Sequence, residues 1–188
     1  VKGITYDLRV LKTDEDGMPL AGATFELTRT WTDSDGNHYT DPVADNLTSD
    51  ENGYVTVTGL PWGKYTLTET KAPDDFVISE NPSCTFDLCY TTDPTSLTAS
   101  TLSSSEDNRA MLNVDVPMIV NPYYKHNVTL LKVDANDTSK PLKGAKFKIW
   151  RDNGDNEFTE SEPDHYIGEF ETDEYGKIEF SQLRVGTY

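Results

Sequence analysis

The chain has 188 residues, with 33 Asp and Glu against 16 Lys and Arg, for a formal net charge of −17. That acidity excludes binding to nucleic-acid phosphates and to anionic membrane surfaces, both of which need basic patches, and the length suits one or two domains, each with its own core. No apolar run is long enough to span a bilayer, and Thr, Tyr, Val and turn formers abound without long helical periodicity, so an all-β chain with no membrane insertion in this segment is expected.

The first predicted strand ends at Thr13. Leu8, Val10 and Lys12 alternate with Arg9 and Leu11, which puts a lysine at the end of an apolar stripe. Asp14-Glu15-Asp16-Gly17 supplies a turn before Pro19-Leu20, and Ala23, Phe25 and Leu27 then alternate toward a core. The polar stretch from Thr28 to Ser49 reads as a hairpin with a long tip, and Asp50-Glu51-Asn52-Gly53 as another turn. In the strand Lys64 to Glu69, Tyr65, Leu67 and Glu69 share one face, so a second ionisable group ends an apolar stripe. Ser83 to Tyr90 is a strand, Thr91 to Asn108 a Ser/Thr-rich loop, and Met111 to Asn121 a strand with Pro117, Ile119 and Asn121 on one face. Cys84 and Cys89 do not make a disulfide framework. Five apart on one regular strand they lie roughly 17 Å from each other, so their redox state stays open.

From Asn127 the pattern repeats. Val128, Leu130 and Lys132 reproduce Leu8, Val10 and Lys12, and Pro141 to Phe147 reproduces Pro19 to Phe25. Asp173 to Gly176 matches Asp50 to Gly53, and Leu183 to Tyr188 matches Leu60 to Tyr65. Residues 1–122 are thus expected to form one domain, 123–127 a linker and 128–188 a second, incomplete domain without counterparts of Glu69 and Asn121. No signal segment opens the chain, so it reads either as cytosolic or as an internal piece of a longer exported protein.

Lys12, Glu69 and Asn121 end apolar stripes on the first, a middle and the last strand of unit one. Buried charges must pair or become neutral. Desolvation lowers a lysine pKa and raises that of a glutamate, leaving a nucleophilic amine beside a neutral acid. With the Asn121 carbonyl adjacent, polarised by protonated Glu69, attack by the amine forms an amide and expels ammonia. The same spacing fits a buried Lys–Glu ion pair with Asn121 as a hydrogen-bonding neighbour. Asn113 and Asp115 share the parity of Asn121 and are alternative acceptors.

The segments LKTDEDGMPLAGATFEL, DENGYVTVTGLPWGKYTLTETKAP and VPMIVNP resemble the CnaB (SpaA-type, prealbumin-like) domains of Gram-positive surface adhesins and sortase-assembled pilins. The resemblance spans unit one end to end and unit two up to Tyr188. It implies tandem Greek-key β-sandwiches of reverse-immunoglobulin type and an autocatalytic isopeptide bond, with Lys12 as nucleophile, Asn121 as amide acceptor and Glu69 as acid/base. In unit two only Lys132 carries over, as a candidate cross-link lysine. Phe76 matches the aromatic after the family's A-P box, while Asp75 stands where glycine is commoner.

The function implied is a structural or adhesive module, extracellular and anchored to the cell wall within a longer protein. It performs one intramolecular turnover, uses no cofactor, and is not an enzyme in the ordinary sense. Its implied partners are other surface-protein or pilus subunits, joined by sortase, and a host surface protein or glycan. The alternative is a ligand-binding module that holds carbohydrate or host protein through the Thr28–Ser49 or Thr91–Asn108 loops, with Trp31 and Tyr39 as exposed aromatics. Lys125 in the Pro122 to His126 segment faintly matches the pilin lysine motif, and a linker accounts for it better. Asp33, Asp35 and Asn37, and the Arg151 to Glu162 stretch, resemble calcium loops. Arginine in the first ligand position and asparagine in place of the turn glycine argue against a site in the latter, and no metal is expected.

Overall fold

A computed structural model of the chain describes residues 5–88, 103–105 and 109–188. Cys89 and most of the Thr91–Asn108 segment lie outside the described residues. The chain divides into two compact units, Val1–Tyr123 and Tyr124–Tyr188. All of the described regular structure is strand.

Unit one contains β1 (Thr5–Asp14), β2 (Thr24–Thr32), β3 (His38–Thr48), β4 (Tyr54–Leu60), β5 (Gly63–Lys71), β6 (Ser83–Leu88), β7 (Ser103–Ser105) and β8 (Arg109–Asn121). They form two four-stranded sheets, ordered β4-β1-β8-β7 and β3-β2-β5-β6. One core lies between the sheets. It takes Leu8 and Val10 from β1 and Leu112, Val114 and Ile119 from β8 on one side, and Phe25, Leu27, Tyr65, Leu67 and Phe86 on the other. Period-two alternation produces this directly, since every second side chain of a strand points to the same face. Strand β1 is central in its sheet, antiparallel to β4 and parallel to β8.

The β2–β3 hairpin is longer in its strands and shorter at its tip than the sequence suggests, with pairing from Thr24↔Thr48 to Thr32↔His38. Asp33 closes the tip: its Oδ1 accepts the Asp35 and Asn37 amides and its Oδ2 accepts Asn37 Nδ2 and Tyr39 Oη. Those bonds hold the Asp33 carboxyl below its usual range.

Unit two contains β9 (Lys125–Leu131), β10 (Lys146–Arg151), β11 (His165–Glu171) and β12 (Lys177–Arg184), paired as β12-β9 and β10-β11. Strand β9 starts at Lys125, inside the 123–127 segment read from sequence as a linker.

The sequence repeat persists at the level of single hydrogen bonds. The Lys12 amide donates to Gly53 O at 2.7 Å and the Lys132 amide to Gly176 O at 2.8 Å, while Leu20 and Leu142 return bonds to the two lysine carbonyls. Both glycines have positive φ, and a Cβ at Gly53 would lie 2.6 Å from Lys12 O, at Gly176 2.5 Å from Lys132 O. The turn is pressed against the lysine strand so closely that only glycine fits.

A hydroxyl ties each frame together. Ser49 Oγ donates to Leu20 O and accepts the Ala23 amide; Thr172 Oγ1 donates to Leu142 O and accepts the Ala145 amide. Removing the Ser49 hydroxyl leaves both groups unsatisfied in a buried site, so Ser49→Ala is expected to cost unit one about 2–3 kcal/mol, measured by urea denaturation. An unchanged denaturation midpoint would show the hydroxyl to be dispensable.

Candidate functional site

Strand β1 carries its inward stripe past the apolar residues. Tyr6, Leu8, Val10, Lys12 and Asp14 are all buried, with Lys12 only 1% exposed. Strand β8 lies beside it in parallel register, Lys12 opposite Ile119 and Asp14 opposite Asn121, so Lys12 and Asn121 are diagonal neighbours on one face. Asn121 is 0% exposed. From the facing sheet, Glu69 on β5 reaches across the core at 3% exposure and its Oε1 accepts a hydrogen bond from Asn121 Nδ2 at 2.7 Å.

The structure thus brings Glu69 and Asn121 into direct contact and sets Lys12 beside them. Glu69 meets the amide nitrogen of Asn121 and not its carbonyl oxygen, which differs from the sequence-based expectation of a carbonyl-polarising acid. Asn121 Oδ1 and Glu69 Oε2 are both buried without a hydrogen-bond partner. Two orphaned acceptors in one core pocket are costly, and such groups concentrate where chemistry or strain is held.

Lys12 Nζ donates to Thr13 O at 2.9 Å. Desolvation lowers its pKa from 10.5 to about 8, against the opposing pull of the Glu69 and Asp14 charges. Glu69 moves the other way: burial raises its pKa, while the Asn121 hydrogen bond and the Lys12 charge draw it down. The two shifts narrow the gap between amine and acid, which makes transfer of a proton from Lys12 to Glu69 less costly than in water.

Parity along β8 is interrupted. Its partners on β1 jump from Val10↔Val114 to Lys12↔Ile119. Leu112 and Val114 face the core before the irregularity, and Ile119 and Asn121 after it. Asn113 therefore falls on the other face from Asn121, and the shared-parity argument that made it an alternative fails. The side chain of Asp115 lies outside the described residues.

Sequence reasoning treated Asp14 as a turn former. In the structure it is 5% exposed, its Oδ1 accepts the Asp16 and Met18 amides, and its Oδ2 accepts Tyr123 Oη at 2.8 Å. The signal was its spacing of two from Lys12. Phe76 packs against Tyr123 with ring centroids 4.8 Å apart and the rings tilted by 33°, and the Val77 amide bonds Pro122 O, so the loop after β5 fastens the end of β8.

In unit two, Lys132 is half-buried and its Nζ donates to Val133 O at 3.1 Å, the same bond that Lys12 makes to Thr13. Elsewhere, Trp31 stacks on Tyr39 at 4.7 Å and its Nε1 bonds Asp41, so this aromatic pair packs on its own hairpin. Cys84 is buried, which pushes its thiol up to about 12. The Arg151–Glu162 stretch folds differently from a loop closed by Glu162: the carboxylates that converge are Asp152, Asp155 and Asp164. They are occupied by loop amides, including those of Gly154, Asn153 and Thr159.

Residues 6–101 and 126–188 match the family model of the SpaA prealbumin-like fold domain. The chain belongs to that family. No curated protein sequence matches it. Among solved structures, the SpaA-type chain is similar to the Bacillus anthracis TIE protein, at 22% identity and a TM-score of 0.56, over 97% of this chain and 27% of that one. It also matches a Streptococcal ancillary pilin at 19% identity and a TM-score of 0.44, over 98% of this chain and 52% of that one. The full-length major pilin SpaD from Corynebacterium diphtheriae matches at 20% identity and a TM-score of 0.44, over 68% and 32%. The SpaA-type chain therefore spans about a quarter to a half of the length of these proteins.

The lowered Lys12 pKa has a measurable consequence when the amine is kept free by Asn121→Ala. Between about 8 and 10.5 the unfolded chain binds more protons at this lysine than the folded one, so stability rises with pH across that window and is lost as pH falls through about 8. Relative to Asn121→Ala/Lys12→Met, the Asn121→Ala chain should gain up to about 3 kcal/mol on going from the lower to the upper limit, read by denaturant titration at each pH. A difference that stays constant with pH would mean that Lys12 titrates normally in the folded protein.

Proposed function

We propose that unit one closes an intramolecular amide bond between Lys12 Nζ and Asn121 Cγ, with Glu69 as the proton carrier. The observation that carries this reading is the joint burial of the three side chains, with Glu69 bonded to the nitrogen that must leave. In the reaction, Glu69 takes a proton from the Lys12 ammonium and the neutral amine adds to Asn121 Cγ. Glu69 then protonates Nδ2, the Cγ–Nδ2 bond breaks, and the nitrogen from Lys12 gives its second proton to Glu69, from which the departing ammonia carries it away as ammonium; one N–Cγ bond replaces another. With a pKa of about 8, about a tenth of the amine is already neutral at pH 7. Fixed proximity of the reacting atoms compensates for that small fraction. Each chain reacts once, so this is self-modification without turnover of added substrate.

The wider role we infer is a structural or adhesive module of a Gram-positive cell-surface protein, extracellular and held at the wall as part of a longer chain. Membership of the SpaA-type family supports this. Other surface or pilus subunits are its natural partners. A cross-link between the first and last strands of unit one suits such a role, because tension entering through β1 leaves through β8 without unfolding what lies between.

Intact-mass measurement tests the chemistry. The chain should be lighter than its calculated mass by one ammonia, and a peptide joining Lys12 to Asn121 should survive proteolysis. Lys12→Ala and Asn121→Ala should restore the full mass. By analogy with other loop closures, losing a cross-link over about 110 residues should lower stability by about 4–5 kcal/mol. A wild-type chain of full calculated mass would refute the cross-link.

A further inference from the structure

We propose that Asp14 is a second carboxylate of the site, a positioning residue that sets the protonation of Lys12 and thereby the pH at which the cross-link forms. This rests on the Lys12–Asn121 reading above and adds to it a control element on β1 and at the end of β8.

The geometry singles out Asp14 in three ways. It sits two residues beyond Lys12 on the same buried stripe and directly opposite Asn121 in the parallel register, so Lys12, Asp14, Ile119 and Asn121 form one inward patch. Its oxygens are already committed: the Asp16 and Met18 amides to Oδ1, the Tyr123 hydroxyl to Oδ2. The hydrogen bond that Lys12 Nζ donates goes to Thr13 O. Asp14 therefore acts on the lysine through space, as a fixed charge in a region shielded from water, where such charges act strongly. The charged groups that act on Lys12 are Glu69 from β5 and Asp14 from β1 itself. From β8 the neighbours in register are Ile119 and Asn121, which do not titrate.

The two carboxylates have different tasks. Glu69 contacts Asn121 and can exchange protons with the reacting atoms. Asp14 holds its charge behind three hydrogen-bond donors and favours the ammonium form of Lys12, opposing the desolvation that frees the amine. Tyr123 lies two residues past Asn121, so its hydroxyl arrives at Asp14 with the end of β8 and disperses part of that charge as the acceptor comes into register.

Opposite signs follow for two near-isosteric changes. Asp14→Asn keeps an oxygen for the turn amides and removes the charge, so Lys12 should lose its proton at lower pH. Tyr123→Phe removes a hydroxyl dipole whose positive end faces Asp14 Oδ2, leaves the negative potential of that carboxylate at Lys12 less offset, and should move the same titration to higher pH. The first readout is the NMR titration of the Lys12 Cε signal in the full chain carrying Asn121→Ala, where the amine stays free. The second follows the rate of ammonia loss against pH, starting from full-length chain assembled by chemical ligation in denaturant and diluted into folding buffer, with tryptophan fluorescence reporting folding separately. Expected are shifts of about half a unit or more, downward for Asp14→Asn and upward for Tyr123→Phe, in both readouts.

A titration unmoved by either change, or moved the same way by both, overturns the role of Asp14. If Asp14→Asn does not fold, the direction of the Tyr123→Phe shift decides. Should the wild-type chain lose no ammonia, the cross-link reading falls by itself, and the NMR titration still decides whether Asp14 governs Lys12.

Discussion

An ammonium taken out of water must be met by opposite charge, by hydrogen bonds, or by loss of its proton. Around Lys12 all three operate together. Thr13 O accepts a hydrogen bond, Glu69 and Asp14 supply negative charge, and burial brings the amine down to about 8. No one of these is complete, which is what distinguishes the arrangement from a well-solvated surface lysine and from a fully compensated ion pair. The core of unit one tolerates the group because the sheets on either side are fixed by their apolar residues, and the lysine occupies the last inward positions of that stripe.

The two units share the device that places the lysine. In both, a positive-φ glycine is pressed against the lysine carbonyl, a leucine amide returns a bond to it, and a Ser or Thr hydroxyl ties that leucine segment to the next strand. What surrounds the amine differs. Lys12 has β8 alongside and β5 across the core, whereas Lys132 directly follows β9, the strand paired with β12, and is half-buried. The frame is thus a property of the strand and turn sequence, while the environment that changes the chemistry of the amine comes from strands far along the chain.

The sandwich, the repeat and the inward lysine were legible because each is a local pattern: alternation at period two, turn residues at fixed offsets, a motif that recurs. Glu69 and Asn121 were legible as stripe ends for the same reason. The side of Asn113 was not, because the step from Val114 to Ile119 in register changes which residues face inward, and no alternation rule anticipates an irregularity set by pairing with another strand. Asp14 was misread since Asp-Glu-Asp-Gly is strong turn chemistry, and it does serve the turn through Oδ1. Its Oδ2 is bonded by Tyr123, more than a hundred residues away, a contact that no local reading reaches. Ser49 was passed over likewise: a serine beside a turn looks like surface, and only the tertiary contact makes it a hub.

The β1–β8 pairing joins residues more than a hundred apart in the chain, which makes it the contact of largest loop-closure cost in unit one. It also completes the site, since Asn121, Pro122 and Tyr123 bring with them the bonds to Glu69, Val77 and Asp14. The chemistry of Lys12 therefore depends on that pairing. Before β8 docks, the amine sits without its acceptor, and a reactive lysine that finds its only partner in the finished fold cannot trap an unfinished one. On this reasoning the proposed cross-link would not guide the folding of unit one. It would make permanent a register that the core, the glycine turn and the Tyr123 contact select.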